Sequence, residues 1–311
     1  MRDEILPKFQ ADFDELAEAL ICETNKIHSQ GVGLASFSAI DATYKASAAG
    51  ASLDSSGLHF EDEISSGQFS FWVYDSNGNV VDLDPGDPTK EELVVTIDPT
   101  STSVNDIRNA LNGLDGGNIT ASVTSDGQLL ISGSNGRTFA FSNDTSYVLA
   151  ALGMNTFFTG TDASTLAVNS ALDSQKQFIA AGKVDADGGI AAGDNTNALD
   201  VANLQYQGVT IQRWTYDRGS SPTSVDLTNT TIDTYLHAFE GDIGIKSQSI
   251  ERELNYNAVV VNQIQEVRDS ISAVSLDEEM TSLMKYQHAY AVAAKLVSTA
   301  DEMLNVLLET R

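Results

Sequence analysis

The sequence predicts an α+β protein, in which an antiparallel α-helical rod formed by both chain ends carries a β-rich (small α+β) domain inserted between them. Three observations predict it. Residues 3–28 repeat apolar side chains at a 3-4 spacing, the period of a helix. Between about residues 39 and 161 the period shortens to two, with turns rich in Gly, Asn and Asp. Residues 274–311 then make one helical pattern with no Gly or Pro. The expected segments are a rod helix at 1–38, the inserted β-rich outer domain at 39–163, the return of the rod at 164–272 as a β-hairpin/turn region plus a long helix, and a C-terminal assembly helix at 273–311.

The first helix carries Leu6, Phe9, Phe13, Leu16, Leu20 and Ile27, the stripe of a helix laid along another, and Gly31 and Gly33 end it. In 68–74, Phe69, Phe71 and Val73 alternate with Gln68 and Ser70; the turn at 75–79 and a second arm at 80–83 complete a predicted hairpin. Leu93–Ile97 is a further strand. Ser103 is placed to cap a short helix, Val104–Leu111, with Asp106 in its first turn. Residues 119–124 and 128–132 flank the turn at 125–127 as a second hairpin, 138–141 add a strand, and 145–152 read as a short helix stopped by Gly153. Residues 166–212 are mixed, with a Gly-rich stretch at 185–194 and a helix at 197–205. From Thr230 the helical pattern returns. Leu236, Phe239, Ile243, Ile250, Leu254, Val261, Ile264 and Ile271 keep a roughly heptad spacing, weakened by Gly241 and Gly244 at about 1 kcal/mol each.

The last helix opens on Ser275 with Glu278 three residues on, the pattern of a capping box. One apolar stripe follows at Leu276, Met280, Leu283, Tyr290, Ala294, Val297, Leu304 and Leu308. A second runs through Tyr286, Ala289, Ala293, Leu296, Ala300, Met303 and Leu307. Together they make a face wider than a two-helix seam requires, so much of it is left for a partner.

Composition excludes several classes. A net charge of −27 argues against nucleic acid or an anionic membrane as partner. No segment has the apolar length to span a bilayer, and the opening residues have no signal-peptide pattern. Cys22 is alone, so no internal disulfide forms, and it reads as a buried structural thiol. His28, His59, His237 and His288 are too scattered for a close metal spacing. Gly31 and Gly33 lack the third glycine and preceding strand of a dinucleotide fingerprint. Asp185 and Asp187 begin like a calcium loop, but Ile190 and Ala192 occupy later ligand positions and no Glu closes it, so an acidic turn between strands is expected. There is no G-x-S-x-G elbow. The sequence predicts no catalytic residue, no cofactor and no metal, and a protein that is not an enzyme.

Several stretches carry a resemblance, in chain order. They are Asn25-Lys26-Ile27-His28 with Gly31-Val32-Gly33-Leu34; Leu152-Gly153-Met154-Asn155 with Phe157-Phe158 and Gly160-Thr161-Asp162; Gly193-Asp194-Asn195 with Asn197-Ala198; and Ser275-Leu276-Asp277-Glu278-Glu279-Met280, Tyr286-Gln287-His288-Ala289-Tyr290 and Ser298 to Met303. These resemble the hook-associated protein 1 family of the bacterial flagellum. The likeness covers nearly the whole chain and is weakest at 36–90. Family members carry a helical segment ahead of the position of Arg2, and this chain lacks it. In the family that segment pairs with the C-terminal helix.

The resemblance implies a structural adaptor that joins hook to filament by subunit polymerisation through terminal helices. It implies export through the flagellar type III channel, without a cleaved signal peptide, to an extracellular place on the flagellum. The implied partners are hook protein, other hook-associated and filament junction subunits, further copies of the chain, and an export chaperone. The assembly and chaperone-binding residues would then be Leu276, Met280, Leu283, Tyr286, Tyr290, Ala294, Val297, Met303, Leu304 and Leu308. A second reading is a secreted binding module, an adhesin or glycan binder, using Trp72, Tyr74 and Trp214 of the middle region. Core packing is the preferred reading of those rings.

Overall fold

The computed structural model describes residues 5–83, 91–215, 224–272 and 275–309. Residues 1–4, 273–274 and 310–311 of the expected terminal helices lie outside these ranges. The chain forms two compact units, Met1–Asp242 and Ile243–Arg311.

The first unit opens with α1 (Ile5–His28) and β1 (Ala39–Asp41), followed by β2 (Gly67–Tyr74), β3 (Leu93–Ile97), α2 (Val104–Leu111) and a kinked turn α3 (Leu114–Gly117). Then come β4 (Ile119–Val123), β5 (Leu129–Gly133), β6 (Thr138–Ser142), α4 (Val148–Leu152), β7 (Phe158–Thr159), β8 (Ala167–Val168) and α5 (Ser170–Ser174). It continues through α6 (Thr196–Asn203), β9 (Val209–Thr215), β10 (Ser224–Thr230) and the start of α7 (Ile232–Ser272). The second unit holds the rest of α7 and α8 (Leu276–Glu309). The architecture is α+β, as expected, with helix at both ends and small antiparallel sheets between.

Two three-stranded antiparallel sheets, β3-β2-β6 and β1-β5-β4, build the middle region. One core joins them to α2, α4 and the Ile21–Cys22 face of α1. Phe71 stacks on Phe139 at 5.3 Å between ring centres and meets Phe141 at 5.6 Å. Such ring pairs add about 0.5–1.5 kcal/mol beyond their area. β2 is buried on both faces, because Trp72 and Tyr74 pack with Val32, Ala140 and Val184 behind the sheet. That second layer explains why its alternation is incomplete in the sequence.

The β4–β5 hairpin forms as expected, with Gly127 at φ +83° in its turn. The hairpin expected after β2 forms only partly. Its turn closes through Asp75 N–H to Asn79 O, and Val81 N–H reaches Val73 O, but residue pairing stops at Tyr74–Val80. β2 has other neighbours: β3 covers Gly67–Phe71 on that edge and β6 covers Ser70–Tyr74 on the other. The cap at Ser103 is a full capping box, with Ser103 Oγ accepting from Asp106 N–H and the Asp106 carboxylate accepting from Ser103 N–H. The β9–β10 hairpin, in the stretch expected as a β-hairpin/turn region ahead of the long helix, is the platform on which α1 rests, with Leu16 packed against Val209, Ile211 and Tyr235.

Candidate assembly surface

Every described residue of α8 is solvent-exposed. All ten expected assembly residues, Leu276, Met280, Leu283, Tyr286, Tyr290, Ala294, Val297, Met303, Leu304 and Leu308, lie on this helix, and both stripes are uncovered. Leu276 and Tyr290 are each 80% exposed. The helix is well started: Ser275 Oγ accepts from Glu278 N–H at 3.4 Å, and Asp277, Glu278 and Glu279 sit where the helix dipole favours acids. On α7, Ile245, Leu254, Val261, Ile264 and Ile271 are exposed in the same way. Burying one leucine-sized side chain contributes about 1.5–3 kcal/mol, so a partner covering a few of these residues gains ample association energy.

The expected rod residues are distributed differently. Leu16 is buried, Phe9, Leu20 and Ile27 are half-buried, and Leu6 and Phe13 are exposed. Phe9 and Phe13 both meet Phe239 of α7, at 5.9 and 5.8 Å between ring centres. The buried face of α1 instead runs through Asp12, Leu16, Ala17, Ile21, Cys22, Thr24, Asn25 and His28. It faces β9, α4 and α6 more than another long helix. Asp12 is buried with partners: Lys8 Nζ at 2.9 Å and Trp214 N–H at 2.8 Å, while Tyr235 Oη donates to its carbonyl.

The end of α1 forms a buried polar joint. Asn25 Oδ1 accepts from Phe157 N–H and Phe158 N–H, and its Nδ2 donates to Phe158 O. Asn155 Nδ2 donates to the carbonyls of His28, Ser29 and Gly31. Asn197 Nδ2 donates to Ala180 O, and its side chain leaves no room for a Cβ on Gly31. His28 lies at the centre. Ala180 N–H donates to its Nε2 at 3.0 Å, so Nε2 is unprotonated and Nδ1 carries the proton given to Asn155 O at 2.7 Å. Burial lowers the His28 pKa, and the bond to Asn155 opposes this only in part. The motifs at 25–34, 152–162 and 193–198 therefore meet at one point. Sequence reasoning recognised them separately. The available signal was that Thr24, Asn25 and His28 continue the helical spacing of the buried Ala17 and Ile21, which places polar residues on a buried face.

With this geometry in place, the comparisons with known proteins carry weight. The family described as Flagellar basal body rod FlgEFG protein C-terminal matches residues 268–310, which is the whole of α8 with the last turn of α7. Flagellar hook-associated protein 1 of Bacillus subtilis (strain 168) is 34% identical over 118 residues, 38% of this chain and 20% of that protein. The protein of the same name in Salmonella typhimurium is 29% identical over 129 residues, 42% of this chain and 20% of the relative. That of Escherichia coli (strain K12) is 33% identical over 70 residues, 22% of this chain and 13% of the relative.

The chain is similar to flagellar hook-associated protein 1. The matched stretches span a fifth or less of the length of these hook-associated relatives.

The chemical candidates resolve into structural roles. Cys22, Glu23 and Glu63 bring possible metal-binding atoms together, and Lys26 Nζ, 2.6 Å from Glu23 and 2.7 Å from Glu63, pairs with both carboxylates there. Burial pushes the Cys22 thiol up to about 12, so it is a poor nucleophile. Asp185 Oδ1 accepts from Asp187 N–H and Gly189 N–H, which closes the stretch as a turn seated on Trp72. Trp72 and Tyr74, proposed as a glycan platform, are buried and bonded to Ser142 Oγ and Gly188 O. Trp214 is half-buried. Among the described residues no helix is long and apolar enough to cross a membrane.

Proposed function

We propose that this chain is a structural subunit of the bacterial flagellum, an adaptor between hook and filament that polymerises through its terminal helices. The carrying observation is α8, a long helix with a wide uncovered apolar face, coincident with the stretch matched by flagellar rod proteins. Its role is mechanical, with no catalytic step. It is exported through the flagellar channel and works extracellularly on the flagellum. Its partners are hook protein, other hook-associated and filament junction subunits, and further copies of itself. Before export a chaperone covers α8, whose exposed stripes would otherwise self-associate.

A deletion strain viewed by electron microscopy is expected to show hooks without attached filaments; normal hooks carrying long filaments would refute the proposal. Leu283→Asp and Leu304→Asp are expected to abolish filament attachment and to weaken chaperone binding. Both side chains are more than half exposed, so the urea midpoint of the first unit should not move. Unchanged chaperone affinity with normal filaments in both variants would exclude α8 as the assembly helix.

A further inference from the structure

The sequence contains three Asn-Gly pairs, at residues 77–78, 112–113 and 135–136. Asparagine before glycine is the pair most prone to lose its side-chain ammonia in water, because the glycine nitrogen is unhindered and its chain bends readily towards the carboxamide. The fold treats the three pairs differently. Asn112 Oδ1 accepts from Ala121 N–H at 3.1 Å, and Gly113 N–H donates to Ile119 O at 3.0 Å, so both reacting groups are tied to β4. Asn135 Nδ2 donates to Asn118 Oδ1 at 2.8 Å, and Arg137 N–H closes its turn onto Ser134 O at 3.0 Å. Asn77 stands at the exposed tip of the turn after β2. Its Nδ2 reaches Asp75 Oδ2 only at 3.5 Å, the limit of a hydrogen bond, and nothing lies within 4 Å of where a Cβ on Gly78 would stand. Gly78 N–H is held by Asp75 O at 3.0 Å, and a single turn bond at an exposed tip opens locally at little cost.

We propose that Asn77 is a site of spontaneous deamidation, selected over the other two pairs by the fold, and that its conversion loosens the second arm of the β2 turn. The co-reactants are hydroxide and water. Hydroxide takes the Gly78 amide proton, and the nitrogen attacks Asn77 Cγ. The new N–C bond closes a five-membered succinimide, and the side-chain nitrogen leaves as ammonia, its added proton coming from water, which regenerates hydroxide. A second water then opens the ring. Cleavage at Cγ gives aspartate in the normal chain. Cleavage at the main-chain carbonyl gives isoaspartate, whose backbone runs through Cγ and is one atom longer. The sum converts one carboxamide and one water into one carboxylic acid and one ammonia, with no oxidation or reduction.

Either product disturbs the turn. A carboxylate at residue 77 sits against that of Asp75, where Asn77 Nδ2 was a donor. Asp75 anchors the loop: its Oδ1 accepts from Asn77 N–H at 2.8 Å and Asn79 N–H at 2.9 Å, and its own N–H donates to Asn79 O at 2.8 Å. The extra chain atom of isoaspartate displaces Gly78 and Asn79 from these partners. Beyond the turn, Val81 N–H donates to Val73 O at 2.8 Å, and Val80 packs on the layer of Trp72 and Tyr74 behind the sheet. Tyr74–Val80 is the isolated pair that joins this arm to β2, so the arm depends on the turn for its position.

The full-length chain, incubated at mildly alkaline pH both folded and in urea and then digested with trypsin, tests the assignment. The peptide 46–90 carries Asn77 and the peptide 109–137 carries Asn112 and Asn135, so fragmentation assigns each mass gain of one unit to its residue. In the folded chain residue 77 is expected to convert about tenfold faster than residues 112 and 135, to a mixture of aspartate and isoaspartate. In urea the three should convert at comparable rates, because the bonds that shelter the other two are gone. Asn77→Gln should abolish conversion at 77, since its longer side chain must close a less favourable six-membered ring, and should leave 112 and 135 unchanged. Amide exchange at Val81 should quicken about tenfold in the converted chain, with Ile119 unaltered. Equal rates at the three residues of the folded chain, or conversion of residue 77 in urea alone, overturns the assignment. Conversion that leaves Val81 exchange as it was overturns the loosening of the arm.

Discussion

His28 shows how one side chain can bind three distant stretches of sequence. Its two ring nitrogens serve opposite roles, accepting from Ala180 N–H and donating to Asn155 O, and only the neutral ring can do both. Protonation would place a second donor against the Ala180 N–H. The sign of the pH effect follows. The folded pKa lies below the usual value of about 6.5, so above that pH both folded and unfolded chains hold a neutral ring. As pH falls from 6.5 towards the lowered folded value, the unfolded chain takes up a proton that the folded chain refuses, and stability is lost. Wild type should therefore lose more urea stability between pH 7.5 and 5.5 than His28→Gln, although His28→Gln is the less stable protein at pH 7.5. Equal losses in the two proteins would show that His28 is not the sensor. Burial raises the pKa of Asp144, Glu15 and Glu18, so these carboxylates add pH dependence of their own, which the paired comparison cancels.

At the scale of elements, legibility depended on whether the cause of structure was local. The α2 cap is local: Ser103 and Asp106 exchange bonds within one turn, and the sequence pattern alone located them. Ser103→Ala should lower the urea stability of the first unit by about 1 kcal/mol, and by less in an Asp106→Ala background where the reciprocal bond is already gone. A full-sized loss in that background would mean the bond from the residue 106 N–H to Ser103 Oγ carries the whole effect and the Asp106 carboxylate adds nothing. The long helices were legible for the same reason, since a 3-4 period needs no knowledge of the partner. The β9–β10 hairpin was legible only as a hairpin or turn region somewhere ahead of the long helix, without its strands. Arg213 and Trp214 break the alternation that residues 209–212 of β9 keep, and what makes β9 a strand is the distant support of α1 through Leu16 and Asp12. The rod stripe was partly legible: Leu16 was foreseen, whereas the polar buried residues Asp12, Thr24, Asn25 and His28 look like surface until their partners are known. The turn at Asp185 shows the converse, because a loop whose carboxylate satisfies its own backbone N–H groups resembles a ligand site in sequence.

At the scale of the whole molecule, the two units differ in what holds them. The first has a continuous core of phenylalanines and aliphatic residues around two sheets, together with the buried joint at the end of α1. The second has helices and exposed apolar stripes, and α8 buries no side chain. A helix with only its own hydrogen bonds is marginal in water even at 34 residues, because nucleation is costly and each residue adds little. Amide hydrogen exchange on the dilute monomer should divide accordingly. Amides of β2 and β6 should exchange only through global unfolding, with protection set by the full stability of the first unit. Amides of residues 276–309 should exchange through local fraying, faster by several orders of magnitude, since a gap of about 4 kcal/mol between local and global opening is about a thousandfold in rate. Raising the protein concentration should slow exchange in 280–300 selectively, and Leu283→Asp should remove that slowing without changing β2 or β6. Protection of α8 in the dilute monomer equal to that of β2 would mean the helix is already buried within its own chain, and its uncovered face could not then be the assembly surface.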